Sequence, residues 1–111
     1  MDFSKLPYTY WSDITKISYL QRRIIVYSLM YYEMSESCVS DRDYDILSYK
    51  LVELQNIINE EDFKKTQYYY AMYDYDGSTG FDIPSRLNAN DTEYLTNIAS
   101  HIYHGWHNRS D

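Results

Sequence analysis

The stretch YYEMSESCVSDRDYD at residues 31–45, with Leu47, Leu51 and Leu54 after it, decides the fold. It reads as the end of one helix, a short serine-rich link and the capped start of a second. Upstream, Ile17, Leu20, Ile24, Tyr27 and Tyr31 recur at spacings of three and four, which places them on one helical stripe running to about Met34. Ser12 or Asp13 can cap that helix, which begins near Ile14. Downstream, Ser40 is an N-cap candidate, with Asp43 three residues on imitating a capping box. Asp41 and Asp43 also complement the positive end of the helix dipole. Tyr44, Leu47, Leu51, Leu54 and Ile58 make the second stripe. Two stripes joined by a short link predict an antiparallel helical hairpin with a shared core.

Outward from the hairpin the signals are weaker. Residues 1–11 carry Pro7 and the aromatics Phe3, Tyr8, Tyr10 and Trp11, an irregular lead-in expected to dock on the domain. Glu60-Glu61-Asp62 marks the end of the second helix or a turn before another. The segment from Tyr68 to Tyr75 fits a helix or, on its aromatic content, a strand; helix is the preferred reading. Residues 76–80 (DGSTG) form a loop that Ile83-Pro84 extends. Asn90 with Glu93 is expected to cap a last helix, striped by Tyr94 or Leu95, Ile98 and Ile102 and ending near Gly105. The expectation is an all-α fold: one small domain over residues 1–111. A hairpin at 12–60 is followed by an acidic, tyrosine-rich part at 61–111 with one or two further helices.

Composition narrows the function. Seventeen acids against ten bases give a formal net charge of −7, the reverse of a free-standing nucleic-acid binder, so direct nucleic-acid binding is not expected. Fifteen tyrosines in 111 residues exceed what one small core can bury with every hydroxyl satisfied, so several should reach the surface. A single cysteine, Cys38, allows no intrachain disulfide and fits a reducing compartment. The longest apolar run is only Ile24 to Tyr27, and no signal-peptide pattern opens the chain. A cytoplasmic protein without membrane association is expected.

The hairpin stretch resembles the N-terminal hairpin of NAD-dependent DNA ligases, whose pattern runs YY or YH, then D-x-P, then D-x-x-YD, then leucines at helical spacing. The likeness covers about residues 20–58. It implies that Tyr31, Tyr32, Asp41, Tyr44 and Asp45 stand where the family contacts the nicotinamide mononucleotide half of NAD. Tyrosine rings can stack on the cationic ring, and carboxylates can bind ribose hydroxyls. Ser35 and Ser37 depart from the family's aspartate and proline. Ligase chemistry itself is excluded, because K-x-D-G, which supplies the lysine nucleophile, is missing: before Asp76-Gly77 the lysine position is Asp74.

Other chemical signals lead nowhere specific. His101, His104 and His107 form H-x-x-H-x-x-H with no supporting carboxylate, and exposed or capping histidines are the expectation. Cys38 has no sequence-adjacent base, and the Gly77–Gly80 loop lacks the lysine of a phosphate cradle. No catalytic residue, metal or cofactor is assigned, and the chain reads as non-enzymatic.

Two functions follow from these residues. In the first, the acidic aromatic tract acts: Tyr70, Tyr73 and Tyr75 as anchors, Asp74, Asp76 and Asp82 as substitutes for backbone phosphates. Between residues 66 and 108 the only Lys or Arg is Arg86. Chains of this composition resemble phage-encoded inhibitors such as DNA mimics and anti-CRISPR proteins. The partner would be a basic nucleic-acid-binding protein, for example a defence nuclease. In the alternative, the ligase-like residues bind nicotinamide mononucleotide or NAD.

Overall fold

Helices account for all the regular structure in the computed structural model, which describes residues 6–34, 39–78 and 80–108, with side chains as far as His104. In chain order they are α1 (Asp13–Glu33), α2 (Asp41–Ile57), α3 (Glu60–Phe63), α4 (Tyr69–Met72), α5 (Ile83–Arg86) and α6 (Ala89–Asn108). The all-α expectation holds, and α4 falls where helix was preferred over strand.

Both helix starts of the hairpin are capped as the sequence predicts. Ser12 Oγ accepts from the Thr15 N–H at 3.2 Å, and Ser40 Oγ accepts from the Asp43 N–H at 3.1 Å. Ile17, Leu20, Ile24, Tyr27, Leu47, Leu51 and Leu54 are buried together; Ile58, at the C-cap of α2, is half-buried. Tyr31, at the far end of the first stripe, is exposed. The link between the helices, including Cys38, lies outside the described residues except for Val39 and Ser40.

Helix α1 is the hub. It packs against α2, α5 and α6, so from Ile24 to Met30 it is buried on every side. A helix apolar all round is what such a central position requires. The hairpin is therefore wrapped by the C-terminal part: Tyr68, Ala71, Met72, Ile83, Leu95 and Ala99 complete the core. On α6, Leu95 rather than Tyr94 faces inward.

Residues 59–75 contain only one-turn helices, held by polar groups rather than by a stripe. Gln21 on α1 donates through Nε2 to Gln55 Oε1 and Thr66 Oγ1, both at 3.1 Å, and its Oε1 accepts from the Tyr68 N–H at 3.0 Å. Gln55 in turn donates to the Met72 carbonyl at 3.1 Å. These buried amides are satisfied by one another, which removes most of their desolvation cost and fixes the segment's position. Two expectations are corrected on α6. The cap is Asn88, whose Oδ1 accepts from the Asp91 N–H at 2.7 Å, not Asn90, and the helix runs past Gly105 to Asn108. Tyr8 packs edge-on against Trp11 and Trp11 against Tyr19, docking the described part of the lead-in on α1; Phe3 lies outside the described residues.

Candidate functional site

The end of α1 and the start of α2 leave a gap that Gly77, Ser78 and Gly80 close into a cavity of about 350 Å³. Its lining comprises Tyr27, Ser28, Tyr31 and Tyr32 from α1, Val39, Asp41, Tyr44 and Asp45 from the start of α2, and Gly77, Ser78 and Gly80. All five residues singled out on the ligase pattern therefore meet around one space. Helical spacing explains the convergence: positions 41, 44 and 45 share one face, as do 27, 28, 31 and 32 at the end of α1.

The aromatic side is ordered by ring contacts. Tyr31 and Tyr32 pack edge to face with centroids 4.8 Å apart, and Phe81 meets Tyr32 at 5.7 Å. The guanidinium of Arg23 lies over Tyr27, 5.3 Å from its centroid, outside the cavity lining.

Tyr75 ties the loop to the hairpin. Its phenol oxygen lies 2.8 Å from Ser48 Oγ and 3.1 Å from the Tyr44 hydroxyl, and it donates to the Ser78 carbonyl at 3.3 Å. With its single proton committed to that carbonyl, Tyr75 accepts from the other two. Burial, and then the neighbouring Tyr44, push its ionisation far above the ordinary tyrosine range, so it is a neutral strut.

The loop conformation depends on its glycines. Gly77 has φ of +87°, open to glycine at no steric cost. Gly80 lies so close to α1 that a Cβ there would come 2.3 Å from Ser28 Oγ and 3.0 Å from the Tyr44 hydroxyl. Under that glycine, Ser28 is 2% exposed and its Oγ has no hydrogen-bond partner. Asp76 shapes the near end by accepting from the Ser78 N–H at 3.0 Å and its hydroxyl at 2.6 Å; these bonds hold its carboxyl below the usual range.

The acidic tract is arranged differently from its sequence reading. Asp74 and Asp82 both pair with Arg86: Asp74 through two hydrogen bonds and Asp82 at 3.0 Å. The guanidinium depresses the Asp74 ionisation, and one positive charge offsets part of both carboxylates. Tyr75 points into the protein rather than outward. Tyr70 is half-exposed, but its hydroxyl donates to Asp91 at 2.5 Å, while Tyr73 and Asp76 stand in solvent. Of the six residues all but Tyr75 are exposed, and two of the three aspartates share Arg86.

No protein-family model, curated protein or solved structure matches the chain. The geometry of the cavity is thus what its function has to be argued from. Among the described residues no cluster of three or more His, Cys, Asp or Glu could hold a metal, and no helix is long and apolar enough to cross a membrane. His101 and His104 are exposed; the His107 side chain lies outside the described ones. Sequence reasoning missed Tyr27 as a wall, Ser28 as the floor and the loop as the closing side. Only Gly80, an isolated glycine ahead of a one-turn helix, hinted at a close approach.

Proposed function

We propose that this protein is a non-catalytic ligand-binding module whose cavity receives the nicotinamide end of nicotinamide mononucleotide or NAD. The observation that carries the reading is the convergence of Tyr31, Tyr32, Asp41, Tyr44 and Asp45 on one cavity. A hairpin alone offers such a ligand one side. Here Gly77, Ser78 and Gly80 add the opposite wall, tied down by Tyr75, and that supports binding without a neighbouring adenylation domain. Tyrosine faces suit a cationic ring, and Asp41 and Asp45 suit ribose hydroxyls.

Calorimetry and amide chemical-shift mapping with each ligand test the reading. Heat release with shifts clustered on residues 27–32, 39–45 and 77–80 is expected. Absence of both signals at millimolar ligand overturns it.

The second reading is an acidic inhibitor, of the phage-encoded kind, occupying the basic groove of a nucleic-acid-binding protein such as a CRISPR nuclease. Its support is the net charge of −7 and the exposed Tyr73 and Asp76. The Arg86 pairing of Asp74 and Asp82 leaves fewer free carboxylates to imitate phosphates, so the cavity is the better-supported site. Asparagine at positions 74, 76 and 82 would weaken capture of such a partner at low salt; unchanged capture by the folded variant excludes this reading.

A further inference from the structure

The cavity does not end at its own walls. Asp45 lines both the cavity and an open depression of about 650 Å³ on the outer face of α2. Helical spacing sets this junction: Asp41, Tyr44 and Asp45 face the cavity, whereas Arg42, Asp45, Ile46, Tyr49, Lys50 and Glu53 share the adjoining face. Leu6 from the lead-in closes the edge of the depression. Charge differs across the junction. The charged residues lining the cavity are Asp41 and Asp45, and no Lys, Arg or His joins them among the described residues. The depression holds two cations, Arg42 and Lys50. Lys50 lies 3.7 Å from Glu53, while Arg42 is exposed and forms no ion pair among the described residues.

The same face is apolar where the outside of a helix is normally polar. Leu6, Ile46 and Tyr49 are all exposed, Tyr49 to 74%, so that its ring is uncovered on the surface of α2. Exposed apolar side chains that stand singly need no explanation, but three lining one depression make a seat for a flat, apolar group. The unpaired guanidinium beside them adds a place for an anion. From Asp45 to Glu53 the face runs eight residues, about 12 Å of helix axis, which is room for a diphosphate and a nucleoside.

Resting on the nicotinamide reading above, we infer that this depression is the adenosine subsite of a dinucleotide, so that the ligand is NAD and not the mononucleotide. The nicotinamide and its ribose enter the cavity, where Asp45 at the junction takes ribose hydroxyls. The diphosphate leaves past Arg42, and the adenine stacks on Tyr49 against Ile46 and Leu6. One helix, α2, then carries both halves of the ligand on adjoining faces.

The test is calorimetry of the full chain with nicotinamide mononucleotide and with NAD, alongside amide chemical-shift mapping. NAD is expected to bind at least about fivefold more tightly, the gain from one base stacked on an aromatic ring. Only NAD should shift the amides of residues 46–53. Tyr49→Ala should bring the two affinities together, with thermal unfolding unchanged because the side chain is exposed. Arg42→Gln should weaken both ligands, most at low salt, since each carries phosphate; nicotinamide riboside, which carries none, should show no such loss. Equal binding of NAD and the mononucleotide, a NAD advantage that survives Tyr49→Ala, or undiminished NAD binding by Arg42→Gln overturns the adenosine subsite but leaves the cavity as the nicotinamide site. Binding of neither nucleotide overturns both.

Discussion

Replacing Ser28 by alanine should make the unliganded protein more stable. Ser28 sits in the interior of α1, 2% exposed, and its Oγ finds no partner. Leaving such a hydroxyl unsatisfied costs about 1–3 kcal/mol. Alanine removes that cost and adds up to about 0.7 kcal/mol of helix propensity. Against this stands the loss of one atom's packing beneath Gly80, which is small because dispersion contacts are worth roughly 0.1–0.2 kcal/mol each. The net gain is about 1–3 kcal/mol, which for a chain of this size raises the melting temperature by roughly 4 °C or more. Urea unfolding of both proteins, compared at equal slope, measures it. A variant less stable than the wild type, at unchanged slope, refutes the reasoning: it would mean that Ser28 Oγ is satisfied in the free protein.

Leu51→Ala, at a fully buried position between α1 and α2, should lower stability by about 2–5 kcal/mol in chemical denaturation. Tyr75→Phe leaves the 2% exposed Ser48 hydroxyl and the Ser78 carbonyl without their partner; it should cost about 1–3 kcal/mol and raise amide exchange in residues 76–80. Alkali should unfold the protein. Burial raises the Tyr68 phenol to about 12 and the Tyr75 phenol further, so both stay protonated in the fold while the unfolded chain ionises near 10. Stability present below about pH 10 is then lost as pH rises toward 12. Titration by ultraviolet absorbance should show a late, cooperative set of tyrosines; fifteen phenols titrating together near 10 would contradict it.

The parts of the fold legible in the sequence are those long enough to show a period. Residues 17–31 and 44–58 repeat a stripe over several turns, and both serine caps stand directly before their helices. Helices α3, α4 and α5 span one turn each, too short for any stripe to emerge, and side-chain amides distant in sequence hold Thr66, after α3, and Met72 of α4. The start of α6 was ambiguous because Asn88 and Asn90 each precede an acid by three residues. Tertiary structure resolves it: the Tyr70 hydroxyl accepts from the Asn88 N–H at 3.3 Å and fixes that residue outside the helix. The five cavity residues on the hairpin could be read as a group. Ser28 could not, since a serine inside an apolar run looks like an interruption. Nor could Tyr75, whose inward direction is decided by Ser48 and Tyr44, about thirty positions earlier.

The burial of α1 on all sides bears on whether the hairpin can be transplanted. A peptide ending at residue 60 would keep both stripes but strip the cover supplied by α5 and α6, leaving Ile25, Val26 and Leu29 to water. Such a fragment would associate through that bare flank instead of remaining a monomer. It would also lack the far wall of its cavity. Minimal versions of this protein should therefore be sought by trimming the ends of the whole chain, not by excising its most recognisable third.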